Sequence, residues 1–250
     1  MNHELPAWIR SQGARFVTTH WSEVLAAGEG TSAQAQAAIE QLYRTYWYPV
    51  YAYLRREGHP PPEAQDVTQE LFARLLAGNQ LAGLVPGKGR FRSFLLVALK
   101  HYLINERQRA RANKRGGGQA LIPLDLILAE ERYDLEPADA LTADKIFERR
   151  WALTLLETVL GTLREECVEA GRQAQFEELK VFLTAERSPL TYETIGRKLG
   201  LSEGGVKSAV SRLRARYREL VQEEVAKTVA HPMEVDDELR HLFEVLSTAT

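Results

Sequence analysis

The stretch EGGVKSAVSRLRARYREL, residues 203–220, sorts its side chains by kind. Val206, Val210, Leu213, Tyr217 and Leu220 recur at steps of four, three, four and three, which is one stripe on a helix of 3.6 residues per turn. A stripe of that sort has to be buried against something. Lys207, Ser208, Ser211, Arg212, Arg214 and Arg218 fall largely off it, so the other side is a cationic, hydrogen-bonding strip with no carboxylate between Glu203 and Glu219. Such a strip suits a polyanion.

The residues upstream narrow this further. PLTYETIGRKLGLS supplies a second short helix carrying Tyr192, Ile195 and Leu199, followed by Gly200, Leu201 and Ser202. Gly200 can take the left-handed conformation that ends one helix, and the Ser202 hydroxyl can cap the next. Together they read as a helix-turn-helix whose second helix enters a DNA major groove by its N-terminal part. A plain helical hairpin with a solvated basic face has the same pattern and stays open on the pattern alone.

The formal net charge of −2 hides a segregated distribution. Residues 88–115 hold nine Lys or Arg against one Glu, while 121–145 hold seven carboxylates against two cations and 230–250 five against one. Two basic blocks and two acidic ones alternate along the chain. Cys167 is the single cysteine, so neither an intrachain disulfide nor a cysteine-rich zinc site is expected. MNHELPAWIRSQGARF lacks the apolar run of a signal peptide, and no stretch approaches 18 uncharged apolar residues, so membrane insertion is not expected and a cytoplasmic location is.

Helical periodicity dominates and no strand-turn-strand pattern is evident, which predicts an all-α protein of two compact helical domains on a flexible acidic linker. Residues 1–31 read as an N-terminal extension, 32–115 as a helical bundle, 116–141 as the linker, 142–229 as the helix-turn-helix domain and 230–250 as an acidic amphipathic extension. The linker opens on three glycines and contains Pro123 and Pro137. Pro49 should kink or break the first helix, and FRSFLLVALKHYLINERQRARANKR is apolar nearly all round from Phe94 to Leu103 before turning basic. The stripe Leu239, Leu242, Phe243 and Leu246 suggests that the extension caps the second block, while its carboxylates could instead shield the recognition surface or meet a partner.

EAQDVTQELFARLL, then FRSFLLVALKHYLINERQRARANKR, then LTYETIGRKLGLSEGGVKSAVSRLRARYREL resemble, in order and spacing, regions 2 and 4 of the sigma-70 family, in its short extracytoplasmic-function (ECF) type. The resemblance covers residues 35–115 and 145–225. It implies a protein that binds core RNA polymerase through the β′ coiled coil and the β flap and directs it to promoter DNA. The first block would melt the minus-ten element, and the second would read the minus-thirty-five element.

Asp66, Gln69 and Glu70 share one helix face, and the resemblance makes that face the polymerase dock. Gln65 stands where the family commonly has a carboxylate, and phosphorylation of Thr68 by a Ser/Thr kinase would restore the missing charge. Lys88, Arg90, Lys100, His101, Asn105, Arg107 and Arg109 would track the displaced strand, although His101 lies where many relatives carry asparagine. In the recognition helix Lys207, Ser208, Ser211 and Arg212 are candidates for base edges and nearby phosphates, with Arg214 and Arg218 for the backbone.

Six histidines lie scattered without metal-ligand spacing, and no nucleophile or phosphate-cradling motif is present, so neither an enzyme nor a metal or other cofactor is expected. The alternative is a stand-alone helix-turn-helix regulator, which would need no polymerase dock. An anti-sigma factor is a further partner that the resemblance implies.

Overall fold

A computed structural model describes residues 33–76, 90–112, 126–134, 141–184, 191–229 and 231–247. All of their regular structure is helical, with no strand among the described residues. They divide into two compact units, one formed by residues up to 154 together with 225 onward, the other by 155–224. The N-terminal extension and the loop that carries Lys88 lie outside the described residues.

The first unit is built on α1, Ala33–Arg56. Its second half, WYPVYAYL, is buried on every side: Trp47, Tyr51 and Leu54 have 1% exposure or less. The helix runs through Pro49 rather than breaking there. Proline in a helix interior costs about 3 kcal/mol, whereas burying three such side chains returns about 2 kcal/mol each, so packing prevails over propensity. Gly58 then takes a φ of +90° and turns the chain, which only glycine does without strain.

Helix α2, Pro61–Leu76, begins on proline, whose missing N–H costs nothing in a first turn. Ala64, Thr68, Leu71, Phe72 and Leu75 form its buried face, packed along α1, with the Tyr43 ring edge-on to Phe72 at 4.9 Å. Helix α3, Phe91–Ala112, sends Phe91, Leu95 and Leu99 inward, and Phe91 meets Tyr46 edge-on at 4.9 Å.

The expected flexible linker is in part a helix. Residues Leu126–Asp134 form α4, which contacts α1 and α2. Ala129 is buried, and the Glu130 carboxylate accepts from the Tyr51 hydroxyl and from Arg55 Nε and Nη2 at 2.8 and 3.0 Å. Glycines and prolines flank this segment without entering it, so a linker composition surrounds a nine-residue helix that has its own partners.

Two later segments complete the unit. The start of α5, Ala143–Glu169, contributes Ile146, Phe147 and Trp151, all fully buried. A 3₁₀ turn, Pro232–Glu234, leads into the C-terminal helix, Val235–Ser247, whose Val235, Leu239 and Leu242 are buried in this first unit rather than capping the second. At about 2 kcal/mol each the three contribute on the order of 6 kcal/mol, so the helix is a standing part of the unit. Phe243, expected in the core, is 40% exposed.

The second unit holds the rest of α5, then α6, Gln173–Leu179, α7, Val181–Thr184, α8, Tyr192–Leu199, and most of α9, Glu203–Ala226. With the C-terminal helix numbered α10, the chain order is complete. Leu179, Phe182, Ile195, Val206, Ala209 and Val210 form the core, with Tyr192, Leu199 and Leu213 packed against it. Arg216 ties α9 to α5 through both oxygens of Glu166, at 2.9 and 2.7 Å.

Candidate nucleic-acid interface

The turn between α8 and α9 is the one the sequence predicts. Gly200 sits at φ +65°, and the Ser202 hydroxyl accepts from the Gly205 N–H at 3.1 Å. Thr191 caps α8 in the same way by accepting from Thr194 N at 3.2 Å. Gly196 carries a requirement that composition does not reveal: a Cβ there would lie 2.5 Å from the Leu201 carbonyl oxygen. Its own carbonyl accepts from Leu201 N at 2.9 Å, so α8 and the turn that follows it meet backbone to backbone at a contact only glycine permits.

This packing fixes α9 so that Lys207, Ser208, Ser211 and Arg212 all face outward and are exposed. Lys207 shares its charge with Glu203 at 2.8 Å, both side chains more than half exposed, a pair that water and salt screen heavily. Its ammonium also lies 5.9 Å from the centre of the Tyr192 ring. Arg214 serves another purpose than the one expected, since its guanidinium donates to the Phe182 carbonyl at 3.1 and 2.9 Å, closing the end of α7. Arg218 is exposed on the same helix.

On the first unit, His101 and Asn105 are exposed on α3. They share their face with Val97 and Ile104, which are 53% and 50% exposed. The helix is therefore not buried all round as the run of apolar letters suggests. It offers a strip of two aliphatic side chains, an imidazole and an amide, a surface on which bases can rest. Lys100 pairs with Asp144 at 2.8 Å, with both side chains largely solvated. The helix continues through Arg107 and Arg109, whose side chains lie outside the described residues.

The remaining candidate, Arg90, shares its carboxylate with a neighbour, Arg92, that is held more firmly. Arg92 has a side-chain exposure of 5% and is gripped from two sides: Glu238 accepts from its Nε and Nη2 at 2.7 and 3.1 Å, and Glu148 accepts from its Nη1 at 2.7 and 2.8 Å. Its guanidinium lies 5.2 Å from the Trp151 ring centre. Burial works against the Arg92 charge, and the hydrogen bonds and charges of the two carboxylates outweigh it, leaving its pKa above the ordinary value. Arg90, expected on the nucleic-acid track, forms an ion pair with Glu238, Nε to Oε2 at 2.9 Å.

Residues 42–113, from within α1 to the end of α3, match the family model of sigma-70 region 2. Over that stretch, under a third of its length, the chain is similar to sigma-70 region 2. No curated protein and no solved structure is similar enough to the chain to count as a match.

Within the matched stretch, the geometry sorts the residues expected at a polymerase dock. Asp66 is exposed on α2, and Gln69 and Glu70 are half-buried beside it. Glu70 accepts from Arg74 at 2.7 Å. Thr68, the phosphorylation candidate, faces the other way: it is fully buried, and its hydroxyl donates to the Ala64 carbonyl at 2.7 Å. A kinase cannot reach that oxygen in this fold. The 3.6-residue period already places position 68 on the face of Ala64, Leu71 and Leu75, a signal the charge pattern around it obscured.

Sequence reasoning missed Glu148 and Glu238. A carboxylate inside the apolar stripe Val235, Leu239, Leu242 is the one available sign, because a buried charge requires a partner. Among the described residues no cluster of His, Cys, Asp or Glu is arranged to hold a metal, and no helix is long and apolar enough to cross a membrane.

Proposed function

We propose that the chain is a sigma factor of the ECF type, which docks on core RNA polymerase and directs it to promoters. The observation that supports this reading is the similarity of residues 42–113 to sigma-70 region 2, on the same chain as two helices joined by a tight turn at 191–220. A stand-alone DNA-binding regulator has no use for the first. In this reading, Asp66, Gln69 and Glu70 meet the β′ coiled coil. The second unit meets the β flap and presents Lys207, Ser208, Ser211 and Arg212 to the minus-thirty-five element. Val97, His101, Ile104 and Asn105 meet the melted minus-ten strand, with Lys88, Lys100, Arg107 and Arg109 along its phosphates. Strand separation then draws on binding energy alone, since flipped bases and a neutralised backbone offset the lost stacking.

The test is run-off transcription with purified core polymerase on fragmented genomic DNA of the source organism, with and without the protein. Discrete starts that appear only with the protein are the expected result. DNA shifts by the chain alone with no new starts would favour the stand-alone regulator.

A further inference from the structure

We propose that Arg90 is an exchangeable cation, held by Glu238 of the C-terminal helix in the unbound protein and handed to a nucleic-acid phosphate on DNA capture. Glu238 thereby sets how readily the first unit takes up a strand. The inference rests on the sigma-factor reading above and adds a competitor to it.

The two arginines at Glu238 differ in kind. Arg92 is committed, with 5% exposure and hydrogen bonds to both Glu148 and Glu238. The Arg90 side chain is 30% exposed and, among the described residues, forms one ion pair, Nε to Glu238 Oε2 at 2.9 Å. If Arg90 swings away, Glu238 keeps both bonds from Arg92, so its carboxylate, itself fully buried, is not left unpaired. The costly half of breaking a buried pair, an orphaned charge, is absent.

Charge balance gives the exchange its direction. Around the cluster stand Arg90, Arg92, Glu148, Glu238 and His241, whose Nε2 lies 2.8 Å from Glu148 Oε2. With Arg90 seated the two guanidiniums offset the two carboxylates among the described residues of this cluster. Arg90 is the residue immediately before α3, whose first two turns lead to the exposed Val97 and His101. A phosphate approaching that strip competes with Glu238 for one half-solvated guanidinium, a contest that nucleic acid wins at low salt. Glu238 itself touches no nucleic acid in this scheme and acts through Arg90.

The experiment titrates a fluorescent mixed-sequence DNA single strand with the full chain, with and without core polymerase, at several salt concentrations. Glu238→Gln removes the competing charge while keeping the shape, and it should tighten binding by about threefold, the scale of one partly exposed ion pair. The dependence of affinity on salt should steepen by about 0.7, one more phosphate neutralised on a single strand. Arg90→Gln should weaken binding, and adding it to Glu238→Gln should abolish the gain. Weaker or unchanged binding by Glu238→Gln would overturn the proposal.

Should Glu238→Gln fail to fold, Arg90→Gln alone decides. A lower salt dependence at an unaltered urea midpoint supports exchange, and a lower midpoint with unaltered salt dependence makes Arg90 structural and ends the idea. Because strand binding is read on the chain itself, these outcomes stand apart from the transcription assay, whose failure would sink the sigma-factor reading instead.

Discussion

Arg92 and Glu238, separated by 146 positions in the chain, meet at 2.7 and 3.1 Å with side-chain exposures of 5% and 0%. Removing the guanidinium alone takes both hydrogen bonds from the buried Glu238, which keeps only its ion pair with the partly exposed Arg90, and takes the guanidinium from Glu148. Arg92→Ala should therefore lower the unfolding free energy by about 3–5 kcal/mol, read as a shift of the urea midpoint. Arg92→Met combined with Glu148→Gln and Glu238→Leu should recover most of it, because apolar groups of similar volume leave nothing unpaired.

Gly196→Ala forces a Cβ to within 2.5 Å of the Leu201 carbonyl, and neither partner is a flexible side chain. A loss of about 1–3 kcal/mol in the second unit is expected, with DNA affinity falling alongside. Gly204→Ala is the control: its Cβ meets nothing closer than the Ser202 hydroxyl at 4.0 Å. In the first turn of α9 it should stabilise by up to about 1 kcal/mol.

Thr68→Ala should leave promoter output in cells unchanged, since it removes one buried hydroxyl bonded to its own helix. Thr68→Glu, the usual imitation of a phosphate, should behave differently. It drives a carboxylate into a fully buried position and should destabilise by about 3 kcal/mol or more. An active, stable Thr68→Glu protein would show that α2 turns over in solution.

Arg212 is exposed on the outer face of α9. Arg212→Gln should reduce the salt dependence of duplex binding by about 0.9, one phosphate's share, with no change in the urea midpoint. A uniform loss across DNA sequences would assign it to the backbone, and a loss confined to one sequence to a base edge.

Burial pushes the Tyr217 hydroxyl up to about 12. In the unfolded chain it titrates near 10, so between about pH 10 and 12 the unfolded state has released a proton that the folded state keeps. The stabilisation is complete below pH 10 and is lost as pH rises through 12. Chemical denaturation across that range should show a steep alkaline decline that is shallower in Tyr217→Phe. On the acid side, the hydrogen bonds from Arg216 hold Glu166 below the usual carboxylate range. Its contribution is thus lost as pH falls through the folded value, and Glu166→Gln should flatten that limb.

What could be read from the letters divides by range. The turn between α8 and α9 was legible, because Gly200, Ser202 and the stripe from Val206 to Leu220 act within a few residues of one another. The exposure of Lys207, Ser208, Ser211 and Arg212 was legible for the same reason. The destination of the last helix was not. Its stripe announces that Leu239 and Leu242 are buried, but periodicity is silent about the partner, and the helix's ion-pair partners Glu148 and Arg92 lie 93 and 146 positions from His241 and Glu238. Arg90 looked like part of a basic track for that reason, with its carboxylate hidden at 238.

The same placement bears on the order in which the molecule is made. Residues 155–224, the whole second unit, leave the ribosome as one contiguous piece and can close as soon as they emerge. The first unit, although its opening helices are synthesised earlier, must wait for Leu239 and Leu242 to fill its interior and for Glu238 to neutralise Arg92. Synthesis from the N-terminus usually lets the earlier domain finish first; here the later one does. Until then the aromatic face of α1 is the surface a nascent-chain chaperone would have to cover.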